Sequence, residues 1–390
     1  MILPKSKRIE SIDLLRGLVM VIMALDHIRD FSHHATMMGN DPLDFSTTST
    51  ALFLTRWITH FCAPVFVFLS GISAFLYGDK IQNKKQLSRF LFTRGLWLIL
   101  IEVSIVSFGW RLSFSHFMVG LQVIWAIGIS MIFLSALIYL PWKILMTIGI
   151  LIVALHNTLD GFSEISNNAS GVLWSLTHVR HRFVVSDSFR IVVAYPFLPW
   201  LGLMIMGYCM GPLFKSNVDL VKRKKILFRL GFLLILLFIL LRSGNFYGDQ
   251  HHWKNQATGI FTILSFVDTV KYPPSLLYML MTIGPALIFL SFAEGIKGKL
   301  ATAIVVFGRV PFFYYICHLY LFHLMAWALI LLTGQTDFGH LYNGDYPEGI
   351  GFQLRFVYFI WLTGLVILYF ACRWYNKYKS NHRQWWLSYL

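Results

Sequence analysis

Charged residues are scarce in this sequence, and acidic residues are the scarcest. Only 13% of the 390 residues are charged and 18 are acidic, whereas 57% are hydrophobic. This balance excludes an ordinary soluble domain, in which about 25% of residues are charged. No polar stretch is long enough to form a soluble domain. We therefore predict an all-α polytopic membrane protein in which residues 1–390 form a single transmembrane domain.

Signatures of metal, redox and nucleic-acid sites are also missing. Cys62, Cys209, Cys317 and Cys372 lie in or beside apolar runs without paired spacing, so we predict packing residues. The histidines lack regularly spaced acidic or cysteine partners, so no metal ion is expected. The net charge of +15 forms no basic stripe interleaved with aromatic residues, so no nucleic-acid partner is expected. The first apolar run lacks a cleavage site and is expected to be a retained span.

Apolar windows that can cross a membrane recur along the chain. A helix that crosses the hydrocarbon needs about 20 mostly apolar residues. Windows near that size lie at 12–31, 51–77, 91–110, 117–140, 142–156, 193–213, 226–243, 275–293, 302–333 and 352–372. We therefore predict about ten transmembrane helices. If the N-terminus is cytoplasmic, most of the 33 basic residues fall in short inner segments, which predicts that both termini are cytoplasmic.

The stretch ALDHIRDFSHH (24–34) holds the densest cluster of ionisable residues in an apolar run. Its members are Asp26, His27, Arg29, Asp30, His33 and His34. A charge near the bilayer centre costs at least about 2.5–3.5 kcal/mol, so each needs a partner or a function. Helical spacing brings them together near the outer end of the first span. One interpretation is an Asp26–Arg29 or Arg29–Asp30 ion pair. The other is a general acid–base site at the mouth of a cavity.

Polar residues in other predicted spans favour such a cavity. They are Arg56, His60, Glu102, Gln122, Arg309, His318 and His323. Each one alone is explained by local pairing, as when His318 follows Tyr314 by one turn. Together they predict a polar cavity through the helical bundle.

The inner end of the first span carries a second group of charges. The stretch RIESIDLLRG (8–17) places Asp13 and Arg16 one turn apart, after Arg8. Such charges usually anchor a helix at the cytoplasmic interface. They are also suited to binding phosphates, and Arg309 is predicted on the same side.

Four stretches carry a resemblance to a known family. They are RIESIDLLRGLVMVIMALDH (8–27), PVFVFLSGISAFL (64–76), KYPPSLLYMLMTIGPALIFL (271–290) and FGRVPFFYYICHLYLFH (307–323). The chain resembles the transmembrane acyltransferase superfamily. Within it, the chain is similar to bacterial membrane proteins grouped with the catalytic domain of heparan-α-glucosaminide N-acetyltransferase. The resemblance implies a bacterial cytoplasmic-membrane enzyme that moves an acetyl group from cytoplasmic acetyl-CoA to a hydroxyl or amine of an extracytoplasmic sugar or glycan.

The resemblance also implies roles for single residues. HHAT (33–36) resembles the stretch with the family's catalytic histidine, which implies that role for His34, with His33 as the rival. Asp26 falls where the lysosomal enzyme has an asparagine beside the acetyl group. Asp26 would then orient an imidazole or the nucleophile, and Arg29, Arg56 or His60 would stabilise the oxyanion. A homodimer is left open.

The spacing along the first span suits this donor. From Arg16 to Arg29 is about 13 residues, or about 20 Å of helix, which matches the distance from phosphates to thioester in extended acetyl-CoA. With the phosphates at the inner basic residues, we expect the thioester near Asp26, His27 and His34. We expect the donor to be bound by Arg8, Asp13, Arg16, Arg309, Arg56, His60 and His318. The alternative is a proton-coupled transporter with a relay through Asp26, His27, Glu102 and His318.

Overall fold

The computed structural model describes residues 10–114, 117–162, 165, 168–186, 188–382, 384 and 387, and within them the chain is mostly helical. The first helices are α1 (Glu10–Ser32), α2 (His34–Met37), α3 (Thr50–Ile58), α4 (Cys62–Ile81), α5 (Lys84–Ile101), α6 (Ser107–Gly109), α7 (Val123–Leu137), α8 (Trp142–Leu155) and α9 (Ala169–Thr177). The later helices are α10 (Phe197–Met210), α11 (Leu220–Gly244), α12 (Gly259–Val267), α13 (Leu276–Ala293), α14 (Lys299–Arg309), α15 (Pro311–Leu332), α16 (Phe338–Asn343) and α17 (Leu354–Asn381).

Eight helical stretches in the described part of the chain are long and apolar enough to cross a membrane. They are Thr50–Ile81, Lys84–Gly109, Trp142–Leu159, Phe197–Phe214, Leu220–Gly244, Leu276–Ala293, Pro311–Leu332 and Leu354–Asn381. The 23-residue α1 and the shorter apolar α7 occupy the two remaining predicted windows. Each predicted window therefore contains a helix, while the count of ten spans and the cytoplasmic termini stay predictions.

Two predicted spans differ from the structure. The window 302–333 holds two helices, because α14 ends at Arg309 and Val310 leaves the helical region with φ −130° and ψ 52°. Pro311 opens α15, where its missing N–H costs nothing, and proline disfavours helical backbone in the residue before it. The window 117–140 begins with a strand, β1 (Phe117–Leu121), and becomes helical only at Val123.

A small sheet corrects the all-α prediction. β1 pairs in parallel with β3 (Phe189–Val193), which pairs antiparallel with β2 (His181–Ser186). β2 and β3 lie in the segment between α8 and α10. The backbone N–H groups of Ala194 and Tyr195 both donate to the carbonyl oxygen of Leu121. The sheet therefore holds the connection between α8 and α10 against the start of α7.

Helix α1 lies inside the bundle, where it packs against α4, α13, α14, α15 and α17. Of its 23 residues, 17 are buried, including Asp26, His27 and Arg29. Helices α8, α11 and α17 are mostly exposed and apolar, as expected for helices that face lipid. Asp26, His27 and Arg29 therefore face protein, where they can be paired.

Two glycines bring α14 into backbone contact with α1. A Cβ on Gly308 would lie 1.9 Å from the backbone oxygen of Asp13, and a Cβ on Gly17 would lie 2.0 Å from that of Ile304. Only glycine permits this approach. The contact brings the end of α14 beside the first turns of α1, where Arg309 Nη2 lies 3.5 Å from Glu10 Oε1.

Candidate active site

A cavity of about 80 Å³ opens beside the C-terminal third of α1, and we name it the outer cavity after the predicted orientation. Its polar lining consists of Asp26, His27, Asp30, Arg56, Thr59, Trp110, Gln122, Tyr195, Lys271, Tyr272 and Tyr315. The lining comes from seven separate parts of the chain. Of the scattered intramembrane residues that predicted a polar cavity, Arg56 and Gln122 line this one, whereas His60, Glu102, Arg309, His318 and His323 do not.

Asp26 is the most heavily bonded group in the outer cavity. Nη1 of Arg56 donates to both carboxylate oxygens of Asp26, at 2.9 and 2.7 Å. The Thr59 hydroxyl donates to Oδ1 at 2.8 Å, and Nη2 of Arg29 lies 2.8 Å from the same oxygen. These partners offset the cost of burying the carboxylate. Three of the four contacts fall on Oδ1, and the two arginines stabilise the negative charge, which makes the carboxylate a weak base toward a substrate.

Arg29 joins the two acidic residues in the C-terminal part of α1, Asp26 and Asp30. Its side chain is 1% exposed, and Nη2 lies 2.6 Å from Oδ1 of Asp30 as well as near Asp26. Both ion pairs considered from the sequence are thus present together. Arg29 and Arg56 are engaged by these carboxylates, so neither is well placed to neutralise charge that develops on a substrate.

His27 contacts a second buried histidine. Nε2 of His318 lies 2.8 Å from Nδ1 of His27, and the rings stack with centroids 4.8 Å apart. His318 is fully buried, and its Nδ1 lies 3.0 Å from the carbonyl oxygen of Tyr314. The Trp110 ring lies edge-on to His27 at 4.7 Å. His27 faces the outer cavity, whereas His318 lies behind it.

Lys271 reaches the outer cavity from the connection between α12 and α13. Lys271 is 8% exposed, and within the described residues no carboxylate lies within 4 Å of its ammonium. In the same connection, the Ser275 hydroxyl donates to Asp249 at 2.6 Å, and His156 Nε2 lies 2.8 Å from the Pro274 carbonyl oxygen. Buried Arg242 donates to the carbonyl oxygens of Ser265 and Phe266 in the last turn of α12, of Asp268 just after that helix and of His251 before it. Lys271 is therefore held in place by a packed polar network.

A second cavity, of about 110 Å³, lies toward the N-terminal half of α1 and is named the inner cavity. Its basic residues are Arg16 and Arg94, and its other walls are mostly apolar. The two cavities share Phe66, Val123 and Tyr315 as lining residues. They therefore adjoin along α1, with cationic side chains at one end and the Asp26 cluster at the other.

Arg16 is also part of the α1–α14 contact. It donates to Asp13 Oδ1 at 3.1 Å, to the Gly308 carbonyl oxygen at 3.2 Å and to the Ser73 hydroxyl at 2.9 Å. Arg309 Nε lies 4.0 Å from Asp13 Oδ2. The predicted inner group of Asp13, Arg16 and Arg309 is thus assembled, although only Arg16 lines the cavity. Arg8 lies outside the described residues.

The predicted catalytic histidines of the outer loop lie apart from the cavity lining. Helix α1 ends at Ser32, so the helical spacing that was expected to place His33 and His34 on its faces stops before them. His33 forms a parallel bridge with Phe352. His34 is exposed, and its Nδ1 lies 3.2 Å from the Phe352 carbonyl oxygen. Burial, followed by the charges of His34 and Arg29, lowers the pKa of His33 to about 4.

His60 is a buried neighbour of the site rather than part of its lining. Its ring packs edge-on against Tyr278 with centroids 5.4 Å apart, and the Tyr278 hydroxyl donates to its carbonyl oxygen at 2.7 Å. Among the described residues neither ring nitrogen has a hydrogen-bond partner. His60 follows Thr59, which lines the outer cavity, but His60 itself lines neither cavity.

Sequence reasoning missed several residues that line the cavities. In the outer cavity these include Lys271, Tyr272, Tyr195 and Trp110, and in the inner cavity Arg94. Lys271 and Tyr272 open the stretch KYPPSLLY, whose resemblance to relatives was a signal that its first residues matter. The others gave no signal, because an aromatic residue or an arginine near a span end is usually an interface anchor.

Comparison with known proteins gives one family. The family model of the catalytic region of heparan-alpha-glucosaminide N-acetyltransferase matches residues 8–247. This range includes helices α1, α4, α5 and α7, which line the inner cavity, and Arg56 of the outer cavity. No curated protein matches the chain. The match covers more than half of the chain and confirms the resemblance noted in its sequence. The chain belongs to the family of the heparan-alpha-glucosaminide N-acetyltransferase catalytic domain, a family of membrane acetyltransferases.

Proposed function

We propose that this protein transfers an acetyl group from cytoplasmic acetyl-CoA to a hydroxyl or amine of a sugar or glycan on the outer side of a bacterial cytoplasmic membrane. The observation that carries the proposal is the pair of adjoining cavities along α1. The family supports the acetyl transfer. The positive-inside distribution of Lys and Arg supports the direction.

The inner cavity suits the charged end of the donor. Arginine binds phosphate through several parallel hydrogen bonds, and Arg16 and Arg94 both line this cavity. From Arg16 to Asp26 is about 15 Å of helix. A donor held at the inner arginines would pass the shared wall of Phe66, Val123 and Tyr315 and place its thioester in the outer cavity.

The outer cavity suits the reaction. When the acceptor attacks the thioester carbonyl, negative charge develops on the carbonyl oxygen and is stabilised best by a preorganised cation or donor. Lys271 lines the cavity, and among the described residues no carboxylate lies within 4 Å of its ammonium. We therefore assign the stabilisation of the oxyanion to Lys271 in place of Arg29, Arg56 or His60. The acceptor's proton must go to a base that faces the same cavity, and His27 does.

Calorimetry of the purified protein in detergent tests the donor and its position. The variant is Arg94→Gln, since Arg16 also supports the α1–α14 contact and its loss would disturb the fold. Arg89→Gln, an exposed arginine on the same helix, is the matched control. Loss of a charge-assisted hydrogen bond, worth about 1.5–3 kcal/mol, should weaken acetyl-CoA binding about 10–100-fold in Arg94→Gln and leave Arg89→Gln unchanged.

Acetyl-pantetheine, which lacks the phosphates, serves as the ligand control. It should bind more weakly than acetyl-CoA and be insensitive to Arg94→Gln. Equal affinity of wild type and Arg94→Gln for acetyl-CoA would exclude the inner cavity as the phosphate site. Absence of acetyl-CoA binding by the folded wild-type protein would refute the donor.

A proton-coupled transporter is the second candidate, and the direct His27–His318 hydrogen bond is what favours it. Glu102 does not extend this pair, because its Oε1 accepts from the backbone N–H of Gln122 at the start of α7. Asp26 is held by Arg56 and Thr59 instead. Proton-dependent solute uptake into proteoliposomes without acetyl-CoA would favour the transporter.

A further inference from the structure

A chain of hydrogen bonds fixes which nitrogens of two buried histidines carry protons. The carbonyl oxygen of Tyr314 can only accept, so Nδ1 of His318, 3.0 Å away, carries a proton. In a neutral His318 the other nitrogen, Nε2, then has a lone pair. That lone pair lies 2.8 Å from Nδ1 of His27, so Nδ1 of His27 carries the bonding proton.

This arrangement leaves Nε2 of His27 as the nitrogen with an available lone pair. His27 lines the outer cavity, and within the described residues its Nε2 has no hydrogen-bond partner. A neutral histidine in this tautomer presents a proton acceptor to whatever occupies the cavity. His318, by contrast, has both nitrogens engaged and does not line either cavity.

Packing holds both rings in these positions. The His318 ring stacks against Tyr314 with centroids 5.2 Å apart and lies edge-on to Tyr315 at 5.4 Å. The His27 ring is bounded by Trp110 and by His318 itself. A base whose ring is locked by packing loses little entropy when it meets a substrate, which is what a catalytic group requires.

We propose that His27 is the general base of the acetyl transfer and that His318 is the positioning residue that fixes its tautomer. The proposal rests on the proposed acetyltransferase function and adds the base that the function requires. The assignment moves the role from His34, which is exposed and bonded to Phe352. It also excludes Asp26 as the base, because the ion pairs with Arg56 and Arg29 and the hydrogen bond from Thr59 stabilise its carboxylate in the charged form.

The reaction balances with these two histidines. Nε2 of His27 takes the proton from the acceptor hydroxyl or amine as the acceptor atom forms a bond to the thioester carbonyl carbon. The carbon–sulfur bond then breaks, and the CoA thiolate leaves. The proton on Nε2 passes to that sulfur, which releases CoA as a thiol and restores neutral His27. Throughout, Nδ1–H of His27 stays bonded to His318, which stabilises the transient imidazolium.

Labelling with diethyl pyrocarbonate tests whether His27, as this tautomer requires, presents a free lone pair to the outer cavity, because this reagent acylates an accessible imidazole nitrogen that has a lone pair. Peptide mass spectrometry of the folded protein should find the label on His27 and not on His318. Exposed His340 serves as the internal control and should react at the same rate with or without acetyl-CoA. Label on His318 with none on His27 would overturn the assignment.

The same experiment separates this proposal from the function on which it rests. Slower labelling of His27 in the presence of acetyl-CoA supports both. Labelling of His27 that acetyl-CoA does not slow, in a protein that fails to bind acetyl-CoA, would refute the donor while leaving the tautomer assignment intact.

Kinetics of variants test the two roles. CoA release from acetyl-CoA is followed with glucosamine and methyl glucoside as acceptors. His27→Gln should lower kcat about 10²–10⁴-fold with the affinity for acetyl-CoA retained. His318→Leu should lower kcat by a smaller factor, and His318→Gln should recover part of that loss because its amide oxygen can accept the proton of His27 Nδ1. Full activity of His27→Gln together with loss in His34→Gln would return the role to His34.

Discussion

Replacing Asp26 by asparagine should destabilise the protein, although asparagine has the same shape. The carboxylate neutralises Arg56, whose side chain is 13% exposed, and shares Arg29 with Asp30. Asparagine can still accept a bond from Thr59, but it carries no charge for Arg56. Removing one member of a buried ion pair costs about 3–5 kcal/mol, because the partner's charge stays buried without compensation. We therefore expect a loss of about that size in the free energy of unfolding.

The loss converts into a shift in melting temperature. An unfolding entropy of about 2.1 cal/mol/K per residue gives about 0.8 kcal/mol/K for a chain of this length, so Tm should fall by about 4–6 °C. A thiol-reactive fluorescent maleimide can follow unfolding, because Cys62, Cys209 and Cys372 are buried in the folded protein. Asp44→Asn, at an exposed position, is the matched control and should leave Tm unchanged.

A second variant distinguishes charge from shape. Adding Arg56→Gln to Asp26→Asn removes the stranded cation and should restore part of the lost Tm, since residues in one ion-pair network couple by about 0.5–3 kcal/mol. An unchanged Tm in Asp26→Asn would show that the charge of Arg56 needs no buried partner. A further fall in the double variant would show that the two side chains do not act as a pair.

Two further predictions concern Lys271 and His33. Lys271→Met should lower kcat about 10²–10³-fold, because a cation that stabilises the oxyanion is lost. Lys271→Arg should retain most activity, and Lys254→Met, at an exposed site, should behave as wild type. Weaker acetyl-CoA binding at unchanged kcat would instead place Lys271 at the donor. His33 binds a proton near pH 6.5 when unfolded but only near pH 4 when folded, so stability should fall on acidification through this window. The loss should be up to about 1.5 kcal/mol between pH 6.5 and 5. Chemical unfolding of wild type and His33→Asn at both pH values should show a smaller loss in the variant, and equal losses would refute the linkage.

The sequence predicts the parts of the site that lie on one helix. Asp26 and Arg29 are three residues apart, so their contact follows from helical geometry alone, while the contact of Arg29 with its neighbour Asp30 depends on the side-chain conformation. The same geometry fails for His34, because α1 ends at Ser32 and the chain then pairs with Phe352. Local periodicity therefore predicts a cluster up to the end of its helix and no further.

Contacts between distant parts of the chain were not predictable from spacing. Lys271 enters the cavity because hydrogen bonds of Arg242 and Asp249 hold the connection that contains it. Nothing in the sequence around Arg242 or Asp249 indicates this structural role. The bond between His27 and His318 joins positions 291 residues apart. Hydropathy predicted where helices lie, but these contacts depend on which helices meet.

The most direct test of the central claim is a transfer assay across a membrane. Proteoliposomes with the protein in defined orientation receive acetyl-labelled acetyl-CoA on the side of the N-terminus, and impermeant glucosamine or methyl glucoside on the other side. The account predicts labelled acceptor on that opposite side, formed at least about 10²-fold more slowly in liposomes that contain the His27→Gln variant. Label that appears only when donor and acceptor share one side, or no transfer by a protein that binds acetyl-CoA, would contradict it.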